Sequence, residues 1–493
     1  MLGEHMTHQR NPASSKPDSA QLSMTAAASP LYAKSSKAYP QVTTGRYRRI
    51  KSVLGAALLI TTALLPWLRW NRGPGIPDQA ILFSFTEMKV YGFGWSLWAQ
   101  EFYLLTGILI LASLALFLAT TLYGRIWCGF ACPQTVWTDL FVWIERYVEG
   151  DRNSRIKLDS QPWTLDKAAR KTAKHVLWLI VSGLTGLIFV TYFTDAYQTT
   201  SDLVRGQASQ TLYGFWAFFT AATYLMAGTV REQMCLYMCP WPRIQGGMLD
   251  EQSLIVAYDF QRGDRGGRAK KGETFDDRGH CIDCQLCAHV CPTGIDIRNG
   301  SQMDCINCGL CADACNTVMD HLKLPRHLIG WSPVTSENCG KTAAPNRLLR
   351  PRTLAYCALM AFTLGLMIWS AFDRMLVDIS VLPNRSPTFV RLADGSIRNG
   401  YTIKVVNRQF KPTQGRLTLS GLEHATMWLP DTPQHGSSLS LSAPPNDVAT
   451  YTVFIRQPSE DAISGRHEIR LNFDDDDMHS AQKKSVFIAG DTP

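Results

Sequence analysis

The order of apolar and polar stretches along the chain predicts a multi-pass membrane protein. Five stretches are apolar on every side, and each approaches the roughly 20 residues that a helix needs to cross a bilayer. They cover residues 50–70, 98–123, 175–192, 212–230 and 354–372. Trp, Tyr and basic residues flank them, as they do at the ends of membrane helices. We therefore predict five transmembrane helices, and not the buried helices of a large soluble core.

The last part of the chain changes to short alternating runs separated by Gly, Pro and Asn. Five such runs cover residues 401–406, 416–420, 438–442, 450–456 and 485–488. Alternation with a period of two predicts strands with one buried face. About 120 residues of this pattern are typical of an immunoglobulin-like β-sandwich of about seven strands.

These changes of pattern divide the chain into five segments. Residues 1–44 are rich in Ser, Ala, Thr and Pro and predict a disordered tail, because they offer little apolar surface to bury. A membrane domain with four spans follows at 45–245, and a cysteine-rich insert follows at 246–345. The fifth span lies within 346–375, and the immunoglobulin-like domain covers 376–493.

The distribution of Lys and Arg predicts how the spans are oriented. Basic residues cluster before the first span, between the second and third, and before the fifth, whereas the loops 69–97 and 193–211 are poor in them. Positive charge stays on the cytoplasmic side, so the tail and the insert are predicted to be cytoplasmic and the C-terminal domain periplasmic. The net charge is +8. We expect no nucleic-acid partner, because the basic residues border apolar runs and form no single face.

Cysteine spacing indicates the chemistry of the insert. Twelve of the fourteen cysteines fall in four tight motifs, two of which are runs of the form C-x-x-C-x-x-C-x-x-x-C. In two-cluster ferredoxins each run gives three thiolates to one 4Fe-4S cluster and its fourth to the other. One cluster is then held by Cys281, Cys284, Cys287 and Cys315, and the other by Cys305, Cys308, Cys311 and Cys291.

A structural zinc site is the alternative for these cysteines, but it needs only two pairs of ligands. One detail departs from the ferredoxin pattern. Asn316 stands where ferredoxins usually have a proline after the last cysteine, which leaves the turn after Cys315 open. We predict a ferredoxin-like domain that relays single electrons.

Two further motifs have the form Cys-x-x-x-Cys-Pro and indicate an internal duplication. They are Cys128 to Pro133 and Cys235 to Pro240, 107 residues apart. On a helix, positions i and i+4 share one face, and the proline ends or bends the helix. If the two hairpins pack together, Cys128, Cys132, Cys235 and Cys239 converge on a site for a soft metal such as Cu(I), or for zinc or iron. The alternative is that they are unliganded buried thiols.

Missing motifs narrow the chemistry further. The chain has no Cys-x-x-Cys-His for covalent haem, and no complete glycine-rich loop for a nicotinamide cofactor or ATP. A haem held by two histidines within the membrane is also disfavoured, because no histidine lies inside an apolar stretch. We therefore expect an unidentified cytoplasmic partner to supply the electrons.

Taken in this order, the motifs resemble the CcoG, FixG and RdxA family of cytochrome oxidase accessory proteins. The resemblance covers about residues 40–493 and rests on the two Cys-x-x-x-Cys-Pro motifs, the double-cluster insert, the last span and the outer domain. It implies a bacterial inner-membrane protein that reduces Cu(II) to Cu(I) for a cbb-class haem–copper oxidase, as a homodimer. The implied partners are copper ions, a copper chaperone or exporter, and oxidase assembly factors.

This resemblance leads to a working hypothesis and two alternatives. As a cupric reductase, the protein passes one electron at a time from the two clusters to copper at or near Cys128, Cys132, Cys235 and Cys239. The first alternative is quinol-linked electron transfer, because parts of the motif set recur in quinol dehydrogenases of the NapH type. The second is a non-catalytic scaffold for oxidase assembly, whose outer domain binds oxidase subunits.

Overall fold

The computed structural model describes residues 37–263, 267, 275, 278–333, 349–430, 432, 435–459, 465–476 and 480–490. Most of the predicted tail, residues 1–36, lies outside these ranges. The end of that tail is held by contacts: the Tyr39 hydroxyl donates to Asp159 at 2.7 Å and the Val42 amide donates to Asp151 at 3.1 Å. The predicted disorder therefore does not extend over residues 39–44.

The helices and strands have the following bounds. The α-helices are α1 Arg46–Leu64, α2 Phe102–Tyr123, α3 Pro133–Glu149, α4 Arg152–Ser160, α5 Leu165–Thr191, α6 Ala196–Arg205, α7 Gln210–Thr223, α8 Arg231–Gln233, α9 Trp241–Met248, α10 Phe260–Gly263, α11 Leu286–His289, α12 Leu310–His321 and α13 Pro351–Phe372. The strands are β1 Ile81–Ser84, β2 Lys89–Gly92, β3 Trp95–Trp98, β4 Leu254–Tyr258, β5 Ile329–Pro333, β6 Val377–Pro383, β7 Val390–Arg391, β8 Ile397–Asn407, β9 Thr413–Ser420, β10 Thr426–Trp428, β11 Ser438–Ala443, β12 Asp447–Gln457, β13 Gly465–Asp475 and β14 Ser480–Ala489.

Four helices of the described chain are long and apolar enough to cross a membrane. They are Arg46–Trp67, Ala99–Tyr123, Leu165–Thr191 and Pro351–Phe372. They match the first, second, third and fifth predicted spans. The fourth predicted span, 212–230, is divided between the 14-residue helix α7 and a π-helical stretch, Tyr224–Thr229. The fifth crossing therefore stays a prediction.

Small residues bring the long helices into close contact. A Cβ atom on Gly107 of α2 would lie 2.7 Å from Met367 Sδ of α13. A Cβ atom on Gly186 of α5 would lie 2.6 Å from Thr220 Oγ1 of α7. Contacts of this kind are typical of helices that pack within membranes, where apolar area alone does not drive association.

The C-terminal domain is an antiparallel sandwich, as its alternating runs predict. One sheet has the strand order β10-β12-β8-β6 with β7 beside β8, and the other has the order β11-β9-β13-β14. The five alternating runs fall on β8, β9, β11, β12 and β14. Within the sandwich, the described residues form nine strands and not the predicted seven. The extra ones include β7 and β10, which at two and three residues are too short to show a period.

The insert and the sandwich lie at opposite ends of α2. At its start, Arg374 beside the sandwich donates to Glu101 at 2.5 Å. At its end, the buried Ser253 of the insert donates to the Thr121 carbonyl at 2.8 Å. The two domains therefore contact opposite ends of this long apolar helix, and their placement on opposite sides of a membrane stays a prediction.

Candidate metal centre

The two cysteine runs of the insert adopt the same backbone. The residues before the second cysteine of each run, Asp283 and Asn307, both have φ of 52°. The residues after it, Gln285 and Gly309, have φ of 58° and 72°. These left-handed positions turn the chain tightly around each run, and α11 and α12 begin directly after them. The runs are therefore two copies of one ligand-binding loop.

The cysteines line two small apolar cavities in the predicted groups. One cavity is bordered by Cys281, Cys284, Cys287 and Cys315. The other is bordered by Cys291, Cys305, Cys308 and Cys311, with Cys287 between the two. Each cavity thus collects three cysteines of one run and the fourth of the other, which is the crossed pattern of a two-cluster ferredoxin.

The spacing of these thiols fits a cluster better than zinc. Among the described residues, no three His, Cys, Asp or Glu side chains are close enough to hold a single metal ion. A 4Fe-4S cubane needs wider spacing, because each of its four irons takes a different thiolate.

Burial raises the pKa of the Cys315 thiol to about 12, with smaller contributions from Cys287, Cys284 and Cys281. Metal binding at this site would therefore release protons.

The chain after Cys315 stays helical because Asn316, and not a proline, follows that cysteine. Helix α12 continues through Asn316 to His321, whereas α11 ends at His289, before Cys291 and Pro292. The side-chain oxygen of Asn316 accepts from the His327 amide at 2.9 Å. Asn316 therefore extends one helix without moving Cys315 away from its cavity.

Both Cys-x-x-x-Cys-Pro motifs form π-helical turns and not the α-helical turn expected from their spacing. We call Trp127–Ala131 the first thiol turn and Met234–Met238 the second thiol turn. The Cys132 amide donates to the Trp127 carbonyl and the Cys239 amide to the Met234 carbonyl, both at 2.8 Å. These are i to i+5 bonds. The helix cannot continue unbroken beyond either motif, because a proline without an N–H, Pro133 or Pro240, follows each closing cysteine.

The two thiol turns face a common region. Burial raises the pKa of the Cys128 thiol to about 12, and the nearby Cys132 and Cys235 raise it further. Burial likewise raises the pKa of Cys235 to about 11, and Cys132 and Cys239 add to this. The charges of Cys132, Cys235 and Cys239 therefore act on the Cys128 thiol, and convergence of the four thiols on one ion stays a prediction. Because no three of them are within reach of one ion among the described residues, they do not form a closed single-metal site.

Gln245 of α9 links the two halves of the duplication, and the sequence patterns did not point to it. It is fully buried. Its side-chain oxygen accepts from the Cys128 thiol at 3.0 Å, and its nitrogen donates to the Thr120 hydroxyl at 3.3 Å. The only signal in the sequence is its position six residues after Cys239.

The first thiol turn packs directly on the second cysteine run. A Cβ atom on Gly129 would lie 2.7 Å from the Ile306 carbonyl oxygen and 3.0 Å from Cys308 Cα. Cys128, Ile306 and Cys308 belong to one buried apolar cluster. The buried Arg125 donates to the carbonyls of Met303 and Cys305, the latter at 3.2 Å. The first thiol turn and the second cysteine run are therefore adjacent parts of one site.

A buried ion network joins α3 and α8, the helices that flank the two thiol turns. Glu145 of α3 accepts from Arg155 of α4 at 2.5 Å and from Arg231 of α8 at 2.8 Å. All three side chains are almost fully buried. Burial alone would raise the pKa of Glu145, but Arg231 and Arg155 outweigh it and lower that pKa. Helix α3 follows the first thiol turn and α8 precedes the second, so this network sets their separation.

Three family models match the chain. A 4Fe-4S dicluster domain matches residues 230–334, which contain both cysteine runs. A 4Fe-4S binding domain matches residues 105–148, which contain the first thiol turn. The immunoglobulin-like fold at the C-terminal of FixG matches residues 367–490, which contain the sandwich.

Three curated proteins are similar over most of the chain. RdxB of Cereibacter sphaeroides is 43% identical over 433 residues, which cover 87% of this chain and 90% of RdxB. The nitrogen fixation protein FixG of Rhizobium meliloti is 38% identical over 482 residues, which cover 91% of this chain and 92% of FixG. RdxA of Cereibacter sphaeroides is 41% identical over 453 residues, which cover 90% of this chain and 95% of RdxA.

Proposed function

The chain belongs to the family of FixG and RdxA, and from this premise we propose that it is an inner-membrane cupric reductase. It would reduce Cu(II) to Cu(I) for the assembly of a cbb-class haem–copper oxidase. Iron–sulfur domains and four apolar helices of spanning length support a membrane electron-transfer protein. The observation that carries the copper proposal is the contact between the first thiol turn and the second cysteine run.

The residues divide into an input side and an output side. Cys281, Cys284, Cys287 and Cys315 would hold one 4Fe-4S cluster, and Cys305, Cys308, Cys311 and Cys291 the other. Two such clusters supply reversible one-electron transfer. Cys284 is exposed, so a cytoplasmic electron donor has access to the first run. Cys308 is buried against the first thiol turn, so the second run is the output side.

The thiol turns provide ligands suited to the product. Cu(I) is soft and prefers thiolates, and Cu(II) becomes Cu(I) by gaining one electron. Cys128, Cys132, Cys235 and Cys239 would take up copper by losing thiol protons and closing around it. Gln245 would position Cys128, because its side-chain oxygen accepts a hydrogen bond from that thiol. The reduced ion would pass to a copper chaperone or exporter.

The remaining parts of the proposal concern the cellular setting. The N-terminal side and the insert would face the cytoplasm, and the sandwich would face the periplasm. The sandwich would bind oxidase assembly factors, since domains of this type present edges and loops to proteins. A homodimer follows from the family resemblance alone.

The test is copper reduction by the full-length protein. The anaerobic, dithionite-reduced protein receives stoichiometric Cu(II), and a Cu(I)-specific chelator reports the product. In Cys128→Ala/Cys132→Ala we expect unchanged iron content, but Cu(I) formation slowed by at least about tenfold. Cys357→Ala is the matched control, because this exposed thiol lies on α13 outside the site.

Two outcomes would contradict the proposal. Unchanged Cu(I) formation in the double variant would remove the thiol turns from the reaction. The second test uses Cys281→Ala/Cys305→Ala, which removes one ligand from each run. If this variant is inserted in the membrane and still supports oxidase assembly, the protein is a scaffold.

A further inference from the structure

A large cavity lies between α1 and α2, beside the cluster-binding insert. Its volume is about 870 Å³. Ile50 and Leu54 of α1 form one wall, and α2 forms the other from Leu109 to Tyr123. Trp127 and Phe130 of the first thiol turn close the end next to the insert. The copper proposal does not use this cavity, and the quinol-linked alternative drawn from the sequence assigned no residues to a quinone.

The cavity is long and differs between its two ends. The lining residues of α2 lie between Leu109 and Tyr123, which are about 21 Å apart along the helix. Over most of this length the walls are aliphatic, with several alanines on α2 that leave the groove open. At the end next to the insert, Arg46, Tyr47, Tyr123 and Trp331 border it. This shape suits a ligand with a long apolar chain and a flat, more polar head.

The head-group end of the cavity touches the cluster-binding loop. A Cβ atom on Gly309 would lie 2.8 Å from Cγ of Tyr47, so the Tyr47 ring packs on the chain between Cys308 and Cys311. The rings of Tyr47 and Trp331 lie 6.3 Å apart and form an aromatic corner. Trp127, which also lines the cavity, directly precedes Cys128. One layer of side chains therefore separates the cavity from both redox-active parts of the chain.

We propose that this cavity binds an isoprenoid quinone, with the ring between Arg46, Tyr47 and Trp331 and the tail along α2. A quinone is the membrane-soluble ligand whose head is both flat and redox-active, which accounts for an aromatic pocket placed against a cluster loop. A phospholipid chain or a helix of a second copy would fill the apolar volume, but neither would account for an aromatic pocket against the cluster loop.

The electron balance follows from the number of clusters. One quinone takes up two electrons and two protons to become a quinol, and no bond to the protein forms. The protein loses two electrons, one from each predicted cluster. The protons come from water at the mouth of the cavity, where Arg46 is exposed. This site rests on the electron-transfer part of the proposed function but not on copper.

Equilibrium binding gives the first test. The full-length protein in lipid nanodiscs is titrated with decylubiquinone, and quenching of tryptophan fluorescence reports binding, since Trp127 and Trp331 line the cavity. Ala115→Trp fills the groove, and we expect affinity to fall by at least about tenfold. Ala358→Trp is the matched control, because it adds the same ring at an exposed position of α13.

Reoxidation of the reduced protein gives the second test. We expect Ala115→Trp to slow reoxidation by decylubiquinone by about the same factor as it weakens binding, and to leave reoxidation by Cu(II) unchanged. If Ala115→Trp loses iron or is not inserted, Ala112→Trp, one helical turn farther from the insert, replaces it.

The outcomes separate this proposal from the previous one. Equal affinity in Ala115→Trp and Ala358→Trp overturns the quinone site. Saturable binding without reoxidation also overturns it and identifies a lipid-like ligand. A change in oligomeric state in Ala115→Trp identifies the cavity as a contact between copies and overturns it as well. If quinone reoxidises the protein and copper does not, the cupric reductase fails and the quinone site stands.

Discussion

At the scale of single residues, Gly129 determines how closely the first thiol turn approaches the second cysteine run. In Gly129→Ala the new methyl group would meet the Ile306 carbonyl oxygen at 2.7 Å and Cys308 Cα at 3.0 Å, both of them backbone atoms. Overpacking of this kind costs about 1–3 kcal/mol. We expect a lower thermal unfolding midpoint, and slower reduction of Cu(II) by protein that retains its iron.

The matched control is Gly365→Ala on α13. An added Cβ atom there meets no atom within 4 Å, and alanine favours a helix by about 0.5–1 kcal/mol over glycine. We expect Gly365→Ala to leave both the unfolding midpoint and the reduction rate at or above those of the parent protein. Equal behaviour of the two variants would show that the turn and the run are not in tight contact.

At the scale of elements, the Glu145 network holds α3, α4 and α8 together. In Glu145→Ala, two nearly fully buried arginines, Arg155 and Arg231, lose their shared carboxylate. Breaking a buried ion pair in this way costs about 3–5 kcal/mol. We expect a matching loss of unfolding free energy in detergent. Asp166→Ala, which breaks an exposed pair with Arg170, should cost only about 0.3–0.5 kcal/mol.

The same network predicts an acid dependence. The pKa of Glu145 is lower in the folded protein than its ordinary value of 4.5. Its contribution to stability is therefore complete above pH 4.5 and is lost as the pH falls through the lower folded value. We expect the stability difference between the parent protein and Glu145→Ala to shrink over that range. A constant difference would assign the effect to packing alone.

At the scale of the whole molecule, Asn446 fixes the sandwich to the three-stranded sheet β1–β3. It is buried at the turn between β11 and β12. Its side-chain oxygen accepts from Ser96 at 2.8 Å and from the Trp98 ring at 3.1 Å, and its carbonyl accepts from Lys89 at 2.6 Å. These contacts make the sandwich continuous with the membrane helices, and not a loosely tethered module.

Asn446→Gly tests that connection. Glycine keeps the left-handed backbone, whose φ is 48°, but removes the acceptor for two buried donors. Each unpaired donor costs about 1–3 kcal/mol. We expect faster amide hydrogen exchange over residues 89–98 and unchanged exchange in the sandwich core. Asn446→Asp keeps the acceptor oxygen and should restore slow exchange near Ser96 and Trp98. Loss of protection throughout the sandwich in Asn446→Gly would show that the turn serves the fold of the domain itself.

The sequence alone determined the elements and the ligand groups whose signals are local. Apolar length predicted four helices that the structure contains and that are long and apolar enough to cross a membrane, because a bilayer requires about 20 apolar residues whose backbone groups bond within the helix. Alternation located five strands of the sandwich, because one buried face imposes a period of two. Cysteine spacing predicted three members of each group that lines a cavity, because each loop is closed by residues only a few positions apart, and the crossed ferredoxin pattern assigned the fourth member.

Only the tertiary structure decided how these parts meet. The contact of Gly129 with Cys308, the bond from Cys128 to Gln245 and the cavity beside Tyr47 join residues more than 100 positions apart, or bring together walls from several elements. No local period encodes such contacts. The π-helical form of both thiol turns could not be predicted from the sequence either, because a spacing of four residues suits an α-helical turn equally well. The sequence therefore determined which groups are candidates for the chemistry, and packing between distant segments decided which of these groups lie next to one another.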